Sequence, residues 1–162
     1  MSHPDPAFRQ IAEAERKIVK YFKYEAFAGA ERLPAPLKGI DGVPFTTIQV
    51  ECDEQFSLQH RINELIVRRD ADGNPFCLLV ARSKGKVPEF WDAYLPPMWD
   101  LDYGPEPTPE NEAWTWVRMD LRLAVIHLSS AIRTWGFAQM YSLVTEKPPT
   151  LSGIQAWLAR PS

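Results

Sequence analysis

The chain has 162 residues, 45% of them apolar and 24% charged, with 18 basic against 21 acidic side chains and a net charge of −3. That length predicts one domain over residues 1–162, and the composition excludes whole-chain disorder, a collagen and a coiled coil. A pI near 5.6 excludes nucleic-acid binding by the surface as a whole, which goes with a pI above about 9, and leaves room only for a local patch.

The first residues, Met-Ser-His-Pro-Asp-Pro, carry no basic stretch followed by an apolar one, so no secretory leader is visible. No run approaches the roughly 18 apolar residues of a membrane span. The expectation is a cytoplasmic protein with no membrane partner. Cys52 and Cys77 are too few for a disulfide framework and read as buried thiols, with a bridge between neighbouring strands left open.

In chain order, residues 5–28 predict a helix. Phe8, Ile11, Ala12, Glu15, Ile18, Val19, Phe22 and Ala26 recur at spacings of three and four, and Glu15 is the one polar member of that face. Asp5 caps it, Pro6 suits its first position and Gly29 stops it. Its other face is mixed but rich in lysine. Residues 31–44, with Pro34, Pro36, Gly39, Gly42 and Pro44, read as a linker without regular structure. A strand follows over residues 45–52. Residues 56–69 fit both a strand and a helix; the β-branched end at Ile66-Val67 tips the expectation to strand. Asp70-Ala71-Asp72-Gly73-Asn74 reads as a turn into a buried strand over 76–81. Residues 82–86 form an exposed basic loop.

Residues 87–107 hold at most a short helix near 88–94. Thr108, Pro109 and Glu110 then look like a helix start, with an apolar face of Trp114, Val117, Leu121, Ala124, Val125, Leu128, Ile132 and Trp135 and a stop at Gly136. A helix so apolar is buried on more than one side or covered by a partner chain, which predicts a homodimer through it. Residues 137–145 either prolong the helix or add a strand, and a short helix over 151–159 closes the chain. The fold class is therefore α+β: an antiparallel β-meander of three or more strands, an N-terminal helix, a long helix near 109–135 and a short C-terminal helix, with the helices on one face of the sheet.

One stretch departs from the average. Residues 87–117 hold seven acids and no Lys or Arg, seven of the nineteen aromatics and six of the fifteen prolines. Aromatic anchors on a proline-stiffened segment, with carboxylates to steer, suit recognition of a basic protein surface. Trp91, Tyr94, Trp99 and Tyr103 are the expected anchors, and Asp92, Asp100 and Asp102 the steering charges.

Catalytic chemistry finds weaker support. Cys52, Asp53, Glu54 and His60 lack metal-ligand spacing, and neighbours on a strand point to opposite faces. Cys77 with His60, and Ser129 with His127, make no recognisable nucleophile–base pair; the latter two do not face each other on a helix. Asp100 with Asp102, or Glu110 with Glu112, could serve as paired acids, but nothing marks them for it. Glycine-rich phosphate loops are absent. The expectation is no metal, no cofactor and no catalytic residue. The chain reads as a non-enzymatic binding module or inhibitor that engages a basic partner protein rather than nucleic acid itself. In composition it is analogous to phage or mobile-element inhibitors of host defence. The alternatives are a small enzyme or ligand-binding domain with a cleft between the sheet and segment 87–107, and a subunit of a larger assembly.

Overall fold

The computed structural model describes residues 5–97 and 110–161. The fold is α+β. Helix α1 (Pro6–Glu25) begins where Asp5 accepts the Ala7 N–H at 3.0 Å; of the predicted face it buries Ala12, Glu15, Ile18 and Phe22 and partly covers Phe8, Ile11 and Val19, whereas Ala26 is its exposed C-cap, ahead of the expected stop at Gly29. Two short strands follow, β1 (Glu31–Arg32) and β2 (Ile40–Asp41), paired antiparallel. The stretch expected to lack regular structure is thus a small hairpin, because its glycines permit backbone contact. Gly42 lies so close to Gly29 that a Cβ there would meet the Gly29 carbonyl oxygen at 1.8 Å, and its φ is +81°.

Strand β3 (Thr46–Glu51) lies beside β2. The next element corrects the sequence expectation. Residues expected as a strand over 56–69 form helix α2 (Leu58–Asp72). Ser57 caps it by accepting the His60 N–H, and Ile62 and Leu65 turn inward at helical spacing. The expected hairpin turn is its C-cap, with Gly73 left-handed at φ +72°. A helix between the two strands carries the chain back to its starting edge. So β3 and β4 (Phe76–Ala81) pair in parallel, in register from Thr46↔Phe76 to Glu51↔Ala81.

After a single 3-10 turn at Pro88–Phe90 comes strand β5 (Asp92–Leu95), where at most helix was expected. From Glu110 the chain passes a 3-10 turn at Ala113–Thr115 and forms β6 (Val117–Asp120) antiparallel to β5. The six strands of the described residues lie in sequence order in one open sheet. Strands β4, β5 and β6 form an antiparallel meander of three; β4 is the strand expected over 76–81, whereas β5 and β6 take the places expected of 45–52 and 56–69. All six residues of β4 are buried, as suits a strand covered on both faces.

The long helix α3 (Leu121–Thr145) starts eleven residues after Glu110 and runs through Gly136. Trp114 and Val117 had matched its period by coincidence: Val117 pairs with Leu95 in the sheet, and Trp114 is exposed. Gly136 does not end the helix, since one interior glycine costs only about 1 kcal/mol and the apolar turns beyond it pack on α4 (Leu151–Ala159). Thr150 caps α4, accepting the Gly153 N–H at 3.0 Å.

Helices lie on both faces rather than one. Ile48, Val50, Leu78, Val80, Ala93 and Leu95 face α1 and α3, while Cys77, Leu79 and Tyr94 face α2. Alternation along each strand separates the two layers.

Candidate functional site

Three of the seven expected partner-binding residues fall within the described structure. Trp91 is a core residue, 2% exposed, and its indole Nε1 donates to the Lys86 carbonyl at 2.9 Å. Asp92 pairs with Arg118 at 2.9 Å. Tyr94 packs edge-on against Phe56 beneath α2, with ring centroids 6.4 Å apart. Burial raises its phenol pKa. Trp99, Asp100, Asp102 and Tyr103 lie outside the described residues.

The C-terminal flank of that stretch is clamped onto α2. Arg69, nearly buried, holds Glu110 with Nη1–Oε2 at 2.9 Å and Nη2–Oε1 at 2.6 Å, and Asp70 Oδ1 accepts from its Nε and Nη2 as well. The Glu110 hydrogen bond is the main reason that the Arg69 pKa is raised. Gln59 accepts the Ala113 N–H at 2.9 Å and donates to the Asn111 carbonyl at 2.6 Å. Trp116 donates its indole N–H to the Glu110 carbonyl at 2.6 Å. Asp92 and Glu110, two of the seven acids, are thus neutralised by arginine.

A cleft of about 670 Å³, most of its lining residues polar or charged, runs between β3 and α2. At its floor Glu51 accepts the N–H groups of Cys52 and Asp53 and pairs with Arg61. Arg61 also reaches Glu64 at 3.0 Å, and Glu64 in turn meets His60 at 3.1 Å. Partial burial opposes the Glu64 charge, but the Arg61 hydrogen bond and charge outweigh it and hold the carboxyl below its ordinary range. Arg68 extends the chain of contacts to the Gln49 side chain and the Lys38 carbonyl. Both oxygens of Glu51 are therefore engaged in joining α2 to the end of β3. His60 and Glu64, at the rim, are the pair here that solvent reaches. Sequence spacing could not have assembled this cleft, because its members come from α1, the loop before β2, β3 and α2.

The two cysteines lie on opposite faces of the sheet and are free. Burial raises both thiol pKa values, that of Cys77 to about 12. Among the described residues no three His, Cys, Asp or Glu side chains converge in a way that could hold a metal ion. No helix of the described residues is long and apolar enough to cross a membrane.

A different surface emerges at the end of the chain. Helices α3 and α4 share a small cluster of Ala138, Tyr141 and Ile154, backed by Phe137 and Trp157. Outside it Met140, Leu143, Val144 and Leu158 are all exposed, Leu143 by 83%. Positions 140, 143 and 144 fall on one helical ridge. The signal was present in the sequence as the apolar run past Gly136, which the expected helix end at Gly136 hid.

Comparison with protein-family models, with curated proteins and with solved structures finds no match.

Proposed function

We propose that the chain is a non-enzymatic protein-binding module whose docking surface is the outer ridge of the α3–α4 hairpin. The observation behind this reading is the group of four exposed large apolar side chains, Met140, Leu143, Val144 and Leu158, on a hairpin with only a small core of its own. Exposed apolar side chains at adjoining helical positions, as at 140, 143 and 144, are what a partner covers. A second copy of the chain fits it: two such hairpins packed ridge into groove make a four-helix interface that is its own complement. Leu143→Glu places a charge in that interface while leaving the monomer core untouched. The reading expects a concentration-dependent dimer by sedimentation, weakened at least tenfold in Leu143→Glu. A wild-type chain that stays monomeric at 100 micromolar, on the order of a weak interface, sinks it.

The acidic, aromatic stretch supports a second reading, in which it engages a basic partner protein. Asp100, Asp102 and Glu106 fall in a stretch with no Lys or Arg, and its flank at Glu110 is fixed to α2. Reversal of Asp100 and Asp102 to Lys, beside Trp99→Ala, is expected to release such a partner in a nuclease-treated pull-down, and added salt to weaken it. A partner indifferent to all three changes removes the reading.

A further inference from the structure

The fold brings together lysines of α1 and Lys86, 63 residues beyond Lys23 in sequence. Lys17, Lys20 and Lys23 recur every three residues along α1, and Lys86 from the loop after β4 closes over them. They line a groove of about 740 Å³ with Tyr21 and Tyr24. Glu89 is its one acidic lining residue, so the lining is net +3 in a chain of net −3. Lys17 shares its charge with Glu13 at 3.6 Å, a pair more than half exposed and therefore weak. Among the described residues, Lys20, Lys23 and Lys86 have no carboxylate within ion-pair distance. Just beyond, Arg122 lies over the Phe90 ring, 5.5 Å from its centroid.

We propose that this groove binds single-stranded nucleic acid, with the lysines on successive backbone phosphates and Tyr24 stacking a base. Four observations favour that ligand over other anions. The cations lining the groove are all lysines, compact point charges suited to several phosphates rather than to one bidentate group. The α1 lysines form a row, about 9 Å long from the helical rise, and not a cup. Tyr24 is 87% exposed beside that row and offers a free aromatic face, the second component of single-strand grooves. The acidic balance of the remaining surface opposes the large footprint of a duplex, which leaves room for a strand lying in the groove alone. A lipid surface fits poorly, because the apolar face of α1 is already in the core.

The test is fluorescence anisotropy with a labelled twelve-nucleotide oligothymidylate on the full chain. Four phosphate contacts on a single strand predict a log–log salt slope near −3, so affinity falls about 50-fold from 50 to 200 mM salt. Lys20→Glu with Lys23→Glu is expected to cost at least tenfold and to flatten that slope. Tyr24→Ala is expected to cost about tenfold, and Tyr24→Phe to restore binding, which separates stacking from charge. Lys84→Glu, in the same loop as Lys86 but outside the groove, is expected to leave affinity unchanged. All variants sit on the surface, and circular dichroism melts confirm their folding. The proposal is overturned if the oligonucleotide does not bind at 50 mM salt, or if the lysine variants bind like wild type. It is overturned equally if inorganic polyphosphate, a polyglutamate peptide or phosphatidylserine vesicles bind as tightly and Tyr24→Ala changes nothing.

Discussion

Arg69 on α2 grips Glu110 with both terminal nitrogens, at 2.9 and 2.6 Å, across 41 residues of chain. The guanidinium is almost buried while the carboxylate is partly exposed, so the two partners are not equivalent. Removing Glu110 leaves a buried cation with Asp70 as its remaining partner. Glu110→Ala is therefore expected to destabilise by about 2 kcal/mol, the range for a hydrogen bond to a charged group lost from the interior. Arg118→Ala breaks a pair whose arginine is mostly in water and whose carboxylate solvent still reaches, and is expected to cost about 0.5 kcal/mol. Urea unfolding of the two variants tests the contrast. Equal losses would mean that the Arg69 clamp contributes no more than a surface ion pair.

Both thiols are buried on opposite faces of the sheet, and burial raises their pKa values. The thiolate is the reactive form, so native protein is expected to resist alkylation at pH 8. Cys77, pushed up to about 12, is expected to react more slowly than Cys52. Both should label at once in denaturant. Mass spectrometry after timed iodoacetamide treatment checks the order; fast native labelling of Cys77 would contradict its burial under α2.

The α+β class, the α1 face and the C-terminal helix were legible because each rests on a local signal: Asp5 and Pro6 at one start, Thr150 at another, and period 3.6 between. The segment 56–69 was misread because Leu58, Ile62, Leu65 and Ile66 fit a helix while Ile66 and Val67 favour a strand, and only packing on Cys77 and Leu79 decides between them. That one error also hid the parallel β3–β4 pair, since a strand there requires a hairpin and a helix permits a crossover. Trp114 and Val117 continued the α3 period by chance, which moved the expected helix start twelve residues early, to Pro109. The two basic stretches were each visible in sequence and each ordinary alone; their convergence on one groove is a product of the fold, fixed where Trp91 holds the Lys86 carbonyl.

Gly42 shows how a loop glycine can be as constrained as a core leucine. Its backbone packs on Gly29 where no Cβ fits, and its φ of +81° disfavours any other residue. Gly42→Ala is expected to lose at least about 2 kcal/mol, from left-handed strain together with displacement of the Gly29 turn. Gly85, also at positive φ but with open space around it, is expected to cost about 1 kcal/mol as alanine. Thermal midpoints of the two variants separate a steric requirement from a purely conformational one, and equal shifts would refute the close approach.

Glu15 is the polar intruder on the apolar face of α1. It is buried at 2% exposure, where its Oε2 accepts the Gly39 N–H at 2.8 Å and Arg32 lies 3.8 Å away. Desolvation raises its pKa, although the Gly39 hydrogen bond and the charges of Arg32, Arg68 and Lys38 pull the other way. A carboxyl whose folded pKa exceeds its unfolded value binds protons more readily when folded. Its contribution is most favourable below the unfolded value of about 4.5 and declines as pH rises through the raised one. Glu15→Gln keeps an acceptor for Gly39 and removes the titration. The variant is therefore expected to be flatter than wild type in stability between pH 4.5 and 7, and to gain on it as pH rises. Glu15→Ala is expected to lose stability throughout, because the Gly39 N–H is left buried without an acceptor. Urea midpoints across that range decide the matter: a Gln variant that loses ground to wild type as pH rises would mean that the ionised carboxylate is held more tightly by Arg32 than burial penalises it.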